Sequence, residues 1–325
     1  FAKKVVEECY ANEDIETKYG FVNTKAEYVY GDSVANYTPV YVKINNEVDI
    51  LTIEQLAEKY GNNNWVECIE YGKQEKEFCE LNNVETWTEN GWTKLYRVIR
   101  HQLASHKKML RVLTHTGCVD VTDDHSLVKM DGTEISPKQI YIELELLHHP
   151  MVDKVDNPSY EYGEVFSAHF DNMIEAAEYT NYLNINNIPF RLNSINADLS
   201  IIVIPNPLGI RNPNSIKKIT EIQYQGFVYD LTTENHHFAA GVGNIIVHNT
   251  DSVFFKFNLT DKETGEKITG DKALELSIEI AQEACHNVSK VLKQPHDFEY
   301  EKTFMPFCLI AKKKYVGIKY EFDPT

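Results

Sequence analysis

Short strand-like runs separated by turn signals fill the middle of the chain and limit the folds that it can adopt. Typical turn signals are Glu89-Asn90-Gly91 and Met130-Asp131-Gly132. This pattern predicts an all-β body. Two interruptions, Leu51 to Tyr60 and Phe166 to Leu183, are predicted to be helical. The strand-like runs are Val40 to Val42, Lys94 to Ile99, Met109 to Leu113, Gly226 to Leu231 and Gly243 to Val247.

The two ends of the chain have a different pattern, which predicts α+β segments. Residues 1 to 20 interleave charged and apolar positions, and we expect a helix there. Ala26 to Tyr30 and Ser252 to Phe257 are predicted strands. Residues 271 to 293 carry apolar residues at helical spacing, and Pro295 ends the predicted helix.

Composition indicates a folded protein of ordinary type. A chain of 325 residues suits about two domains at roughly 100 to 200 residues each. The hydrophobic fraction of 42% is typical of globular proteins, and no stretch is long and apolar enough to cross a membrane. The six cysteines form no CxxC pair, so we expect free thiols and an intracellular protein. The net charge of −17 disfavours a DNA-binding protein that acts by itself.

A split acidic motif indicates what surrounds the β body. Tyr30-Gly-Asp32 and Thr250-Asp-Ser252 become one continuous string when the residues between them are removed. The joined string resembles the catalytic palm motif of family B DNA polymerases. That resemblance implies that Asp32 and Asp251 bind Mg²⁺ in the joined protein. In the interrupted chain this site is broken.

The residues at the two boundaries suggest why the motif is interrupted. The segment begins with Ser33 and ends with His248-Asn249, and Thr250 follows it. This order resembles the boundaries of inteins, the protein-splicing elements. The resemblance predicts a polymerase segment at 1–32, an intein of 217 residues at 33–249 and a second polymerase segment at 250–325. It also implies a HINT-type, mainly β horseshoe fold that acts as a monomer on its own flanking segments.

The splicing chemistry implied by this resemblance needs no cofactor. Ser33 would attack the preceding carbonyl and convert an amide into an ester, and Thr250 would then take over the acyl group. Asn249 would cyclise and release the element. The ester between Asp32 and Thr250 would finally rearrange to an amide. Serine is less nucleophilic than the cysteine found in many inteins, so we expect slow splicing.

Internal residues resemble the conserved blocks that assist these steps. Thr122-Asp-Asp-His125 resembles the Thr-x-x-His block, which implies that His125 protonates the scissile nitrogen and that Thr122 supports the polarised amide. Val228 to Thr232 and Asn235 to Phe238 resemble the block near the second nucleophile. Its members here are Asp230 and His236, with His237 as an alternative, and His248 would assist cyclisation of Asn249.

Two further segments were assigned by resemblance. A segment at about residues 136–215 is predicted to be a small helical insertion. It is interpreted as a degenerate remnant of a nuclease or as a subdomain specific to this chain. In the second flank, Lys312-Lys313-Lys314-Tyr315 resembles the basic motif after the polymerase palm, which implies contacts with duplex phosphates. The whole host enzyme would use a DNA primer-template and deoxynucleotides.

Two alternatives to a splicing element remain open at this stage. One is a polymerase fragment that carries a passive or splicing-disabled insertion. The other is an intein with an active homing endonuclease, which the short span between His125 and Tyr224 disfavours. A passive loop has no reason to begin with Ser33 and to close with His-Asn-Thr, so the boundaries favour splicing.

Overall fold

A computed structural model describes residues 11–18, 20–28, 33–68, 76–105, 107–156, 158, 166–194, 199–209, 212–249, 255–291, 300–311 and 314–321. These residues divide into two compact units. One contains the described residues from 33 to 249, and the other contains the described residues before 29 and after 254. Within these ranges no helix is long and apolar enough to cross a membrane.

Residues 33–249 are organised around one antiparallel sheet with 14 strands in the described part of the chain. Its strands follow one another in the order β12-β11-β19-β18-β4-β7-β8-β17-β3-β10-β9-β16, with β5 beside β4 and β6 beside β7. The strands are β3 (Val34–Ala35), β4 (Pro39–Ile44), β5 (Glu47–Thr52), β6 (Val66–Cys68), β7 (Lys76–Thr88), β8 (Gly91–Gln102), β9 (Met109–Thr114), β10 (Cys118–Thr122), β11 (Ser126–Val128), β12 (Glu134–Ile135), β16 (Ile216–Ile222), β17 (Phe227–Thr233), β18 (His237–Ala240) and β19 (Ile245–His248).

One helix, α1 (Ile53–Tyr60), packs against this sheet. Thr52 begins the helix because its hydroxyl accepts from the Gln55 amide at 3.0 Å, while the Gln55 side chain accepts from the Thr52 amide at 3.1 Å. Leu56 and Ala57 of the helix are fully buried in the core of the sheet. The predicted helix therefore exists, although its first two predicted residues belong to β5.

A small α/β segment is inserted between β12 and β16. Strands β13 (Ala168–Phe170), β15 (Ile201–Pro205) and β14 (Phe190–Ser194) form a sheet in that order, beside helix α2 (Met173–Ile185). A short 3₁₀ turn, Pro137–Gln139, precedes them. The predicted helix from Phe166 is wrong for its first residues, because the Asn172 side chain caps the helix and Ala168–Phe170 pairs as a strand.

The flanking unit combines strands and one long helix. Strand β2 lies between β1 and β20, helix α3 covers buried apolar residues of this sheet, and β21 pairs with β22. The predicted helix at residues 271–293 is confirmed by α3. The elements are β1 (Ala11–Thr17), β2 (Gly20–Tyr28), β20 (Phe255–Asp261), α3 (Gly270–Val291), β21 (Thr303–Ala311) and β22 (Lys314–Tyr320).

The mainly β fold class predicted from the sequence is confirmed, and one flanking element is corrected. The expected helix over residues 1 to 20 is wrong for Ala11–Thr17, which pairs antiparallel with β2. The apolar residues that suggested this helix lie mainly in residues 1–10, outside the described part of the chain. In β1 the exposed residues Asp14 and Glu16 flank the half-buried Ile15, and Asp14 pairs with Lys262 at 2.5 Å.

Candidate functional site

Ser33 stands buried at the start of β3, between two other strands of the sheet. Val34 pairs with Val121 of β10 on one side and with Tyr229 of β17 on the other. Ser33 is 1% exposed, and its carbonyl oxygen accepts from the Thr122 amide at 2.9 Å. The first residue of the segment is thus held directly against the Thr122–His125 turn.

The Thr122–His125 turn connects β10 to β11 and is buried throughout. The His125 amide donates to the Thr122 carbonyl at 3.0 Å, which closes the turn, and the His125 ring is fully buried. Within the described residues, the Thr122 hydroxyl is buried without a hydrogen-bond partner. A buried hydroxyl of this kind costs free energy, so its presence suggests that it serves something other than stability.

The carboxylates of this turn are held by two lysines. Asp123 pairs with Lys138 at 2.8 Å, and Asp124 pairs with Lys107. Both carboxylates are almost fully buried, at 4% and 5% exposure. The two ion pairs fix the turn from both sides and thereby fix the position of the residues at its ends.

Asn249 lies at the end of β19 and contacts two other parts of the sheet. Its amide donates to the His236 carbonyl at 2.8 Å, and its side-chain nitrogen donates to the Leu231 carbonyl at 2.7 Å. Asn249 is 4% exposed. Leu231 and Tyr229 belong to the same strand, so β17 contacts the segment at both ends.

A tight glycine turn brings β19 to this position. Gly243 has a φ of +80°, and a Cβ atom there would lie 1.9 Å from the Thr116 carbonyl oxygen. Only glycine fits such a close approach. After this turn β19 pairs with both β18 and β11, so that His248 lies opposite His237 on one side and Ser126 on the other.

Two histidine–glutamate pairs meet beside Asn249. The His237 Nδ1 atom lies 2.6 Å from Glu89 Oε1, and His248 Nδ1 lies 3.5 Å from Glu134 Oε2. The two imidazole rings are in edge-to-face contact, with centroids 4.9 Å apart. Burial opposes ionisation of Glu89, but the hydrogen bond from His237, a backbone hydrogen bond and the charges of His237 and His149 together outweigh it and lower the pKa of that carboxyl.

Most of the candidate site residues that lie within 33–249 therefore come together in one region of the sheet. Ser33, Thr122 and His125 form one connected group, and His248 and Asn249 adjoin it through the pairing of β11 with β19. Asp230 is 8% exposed on β17, and its carboxylate accepts from the Leu231 amide at 2.8 Å. The connected groups are joined by backbone pairing, which no local pattern of residues specifies.

His236, the histidine chosen from the sequence, has an exposed side chain. It occupies a turn with a φ of 62°, and only its carbonyl faces Asn249 in the contacts described above. The alternative, His237, is the histidine whose ring contacts His248. Sequence reasoning also missed Glu89 and Glu134, which lie far from the motifs along the chain and carry no signal of their own.

Several predicted residues fall outside the described residues. These are Asp32, Thr250, Asp251, Lys312 and Lys313. Lys314 and Tyr315 lie in β22. No group of three or more His, Cys, Asp or Glu side chains arranged to hold a metal ion is found in the part of the chain that the structure describes.

Comparison with known proteins relates the chain to DNA polymerases. The family model of DNA polymerase family B matches residues 217–325. A DNA polymerase of Acanthamoeba polyphaga mimivirus is 28% identical and a DNA polymerase of Thermococcus aggregans is 27% identical, over 97% and 95% of this chain. These matches cover only 26% and 13% of the two relatives. The relationship to family B polymerases that the split motif predicts is confirmed for the C-terminal part.

The alignments with the two polymerases include most of the interrupting segment as well. At 97% and 95% of this chain they extend well beyond the 108 flanking residues. Among solved structures, the transcription factor IIB Mvu mini-intein matches 67% of this chain and 100% of its own, with 19% identity and a TM-score of 0.41. The prediction of family B polymerase segments is consistent with the polymerase matches.

Proposed function

We propose that residues 33–249 are an intein that excises itself and joins the two flanking segments of a family B DNA polymerase. One observation carries the proposal. Ser33 and Asn249 are 216 positions apart in sequence, yet both lie beside β17: Val34, next to Ser33, pairs with Tyr229, and Asn249 donates to the Leu231 carbonyl. The alignment of the segment with related polymerases supports the proposal.

The first step would be an acyl shift at Ser33. The Ser33 hydroxyl attacks the Asp32 carbonyl carbon, the C–N bond breaks, and the released nitrogen takes up a proton. His125 is the proposed proton donor, and Thr122 would polarise the bond that breaks. The burial of Ser33 and His125 supports this assignment, since exclusion of water protects an ester from hydrolysis.

The second half of the reaction would take place at Asn249. After Thr250 has accepted the acyl group, the Asn249 side-chain nitrogen attacks its own carbonyl carbon and the bond to Thr250 breaks. One proton leaves the attacking nitrogen, and one proton arrives at the released amine. Asp230 and His248 are proposed to assist these transfers. The hydrogen bond from Asn249 Nδ2 to the Leu231 carbonyl holds the attacking nitrogen in place before the reaction.

Joining the flanks would restore the motif Tyr-Gly-Asp-Thr-Asp-Ser. We infer that the complete host protein is a DNA polymerase acting on a primer-template and deoxynucleotides. Mg²⁺ would supply charge stabilisation for phosphoryl transfer there, with Asp32 and Asp251 as the proposed ligands. Lys312, Lys313, Lys314 and Tyr315 are the proposed phosphate contacts.

Intact-mass spectrometry of the purified chain at neutral pH tests splicing directly. The expected products are a released segment of 217 residues and a joined segment of 108 residues. Both should be absent from the Asn249→Ala, Thr250→Ala double variant. A stable 37.5 kDa species in both samples would contradict the proposal and favour a passive insertion.

A further inference from the structure

Glu89 and His237 form a pair that none of the proposed splicing steps uses. Glu89 lies in the turn between β7 and β8, 148 positions before His237 in the sequence. Their side chains are 22% and 19% exposed, and the 2.6 Å contact joins a carboxylate to a ring nitrogen. Charge-assisted hydrogen bonds of this length are among the stronger ones in proteins.

The surroundings of Glu89 hold its carboxylate in place. Asn235 donates to Glu89 Oε1 at 3.4 Å and to the Thr88 hydroxyl at 3.1 Å, which links the β7–β8 turn to the segment before β18. In the described part of the chain, the second carboxylate oxygen, Oε2, is buried without a hydrogen-bond partner. A surface hairpin turn has no structural need for a carboxylate placed at this cost.

Glu89 contacts one ring nitrogen of His237, and the same imidazole ring contacts the ring of His248. A carboxylate only accepts hydrogen bonds, so Nδ1 of His237 carries the hydrogen in this contact. In the neutral ring the other nitrogen then keeps its lone pair. His237 and His248 are directly paired residues of β18 and β19, which places both rings on the same face of the sheet.

His248 in turn is contacted from its other side by Glu134 of β12. The charged and titratable groups facing the two rings are Glu89 from the β7–β8 turn, Glu134 from β12 and, near Glu89, His149. Each histidine thus has a carboxylate of its own. The two imidazole rings, which contact each other, thus lie between these two carboxylates.

We propose that Glu89 and His237 are positioning residues that set the orientation of the His248 ring for cleavage of the bond between Asn249 and Thr250. The proposal rests on the proposed splicing function. The step itself balances without a co-reactant: Asn249 Nδ2 forms the new C–N bond and loses a proton, and the nitrogen of Thr250 leaves and gains one. His248 carries that proton, and the Glu89–His237 pair holds the His248 ring in position for the transfer.

C-terminal cleavage measured alone is the test. In a Ser33→Ala background the first step is blocked, so only cyclisation of Asn249 can separate residues 1–249 from residues 250–325. The rate is followed by intact mass from about pH 5 to about pH 9, across the range in which histidines titrate. The variants are Glu89→Gln, His237→Asn and the two combined, with Glu80→Gln on the exposed side of β7 as the matched control.

We expect Glu89→Gln and His237→Asn each to slow cleavage roughly tenfold near neutral pH and to displace the pH profile, as loss of a supporting carboxylate does elsewhere. The double variant should be no slower than the slower single variant, because the two residues act as one unit. Rates and profiles equal to those of Glu80→Gln would overturn the proposal.

The rate of the N-terminal step distinguishes a positioning role of Glu89 and His237 from a role in folding. In an Asn249→Ala, Thr250→Ala background, hydroxylamine cleaves the ester at Ser33, and this rate should stay within about twofold for the Glu89 and His237 variants. Equal losses at both ends would indicate a structural role and overturn the proposal. A Ser33→Ala parent that shows no C-terminal cleavage would also overturn the proposal for Glu89 and His237. Hydroxylamine cleavage at Ser33 in the Asn249→Ala, Thr250→Ala background would still support the N-terminal half of the proposed function. The absence of both reactions would refute both proposals.

Discussion

At the scale of single residues, removal of the Thr122 hydroxyl distinguishes a catalytic role of Thr122 from a structural one. Thr122→Val removes a buried hydroxyl that has no hydrogen-bond partner among the described residues, and it preserves the shape of the side chain. The free energy of unfolding should therefore stay constant or rise by roughly 1 kcal/mol. Ester formation at Ser33, measured by hydroxylamine cleavage, should fall at least about tenfold if Thr122 polarises the amide.

Thr38 offers a matched control for this experiment. Its hydroxyl is likewise buried and without a partner in the described part of the chain, but Thr38 lies in the loop after β3 and has no proposed role. Thr38→Val should change stability in the same direction and leave ester formation unchanged. Equal ester formation in both variants would remove Thr122 from the proposed mechanism.

His148 gives the fold a dependence on pH. Burial lowers the pKa of His148 to about 4, below its value of about 6.5 in an unfolded chain. As the pH falls, the unfolded chain therefore takes up a proton first, so the stability is fully present above about pH 6.5 and is lost towards about pH 4. The loss should be on the order of 3 kcal/mol.

Urea unfolding of a splicing-blocked chain at neutral and acidic pH measures this contribution. His148→Gln should reduce the difference in free energy of unfolding between the two pH values, because glutamine does not titrate. His169→Gln is the control, since His169 is exposed on β13. An undiminished difference in the His148 variant would show that other groups cause the acid sensitivity.

At the scale of elements, a buried ion pair joins β9 and β10 and so supports the Thr122 turn. Arg111 makes two hydrogen bonds with Asp120, at 2.8 and 2.7 Å, and the Tyr37 hydroxyl donates to the same carboxylate at 2.6 Å. Burial and this carboxylate raise the pKa of Tyr37. Arg111 also donates to Ser194 of β14 at 3.1 Å.

Asp120→Asn should destabilise the fold by about 3 to 5 kcal/mol, because it leaves the Arg111 charge buried without a counter-charge. Chemical denaturation of a splicing-blocked chain measures the loss. Glu221→Gln is the control, since Glu221 pairs with Lys108 on the surface and should contribute no measurable stability. Similar effects of both substitutions would contradict the assignment of Arg111–Asp120 as a buried support.

At the scale of the unit formed by residues 33–249, the inserted α/β segment shares a hydrophobic core with the main sheet. Met173, Ala177 and Leu183 of α2 belong to the same buried cluster as Tyr41 and Ile50 of β4 and β5. The inserted segment is thus an integral part of the fold of residues 33–249 and is not a separate, flexibly linked domain.

Replacing residues 166–205 by a short Gly-Ser linker should therefore abolish both cooperative thermal unfolding and splicing, because the shared cluster would face water. The control inserts the same linker between Leu208 and Gly209 without a deletion, where Leu208 is 94% exposed. A deletion variant that still unfolds cooperatively and splices would show that the segment is dispensable.

Sequence and structure contributed differently to the candidate site. The order of motifs along the chain predicts the candidate residues Ser33, Thr122, His125, His248 and Asn249. The choice between His236 and His237 could not be made that way, since adjacent residues share every local signal. Their different environments arise from the φ of 62° at His236, which turns its side chain to solvent and lets the next residue enter β18.

The sequence alone determined the mainly β class and the long helix of the second flank, because strand alternation and helical spacing are written in neighbouring residues. It also supplied the two proposed boundaries. Only the tertiary structure decided which strands pair, and with them the contacts of Asn249 with Leu231, of Arg111 with Ser194 and of Glu89 with His237. These contacts join residues 18, 83 and 148 positions apart. Strand pairing depends on burying a shared core rather than on local preference, so no short pattern in the chain specifies it.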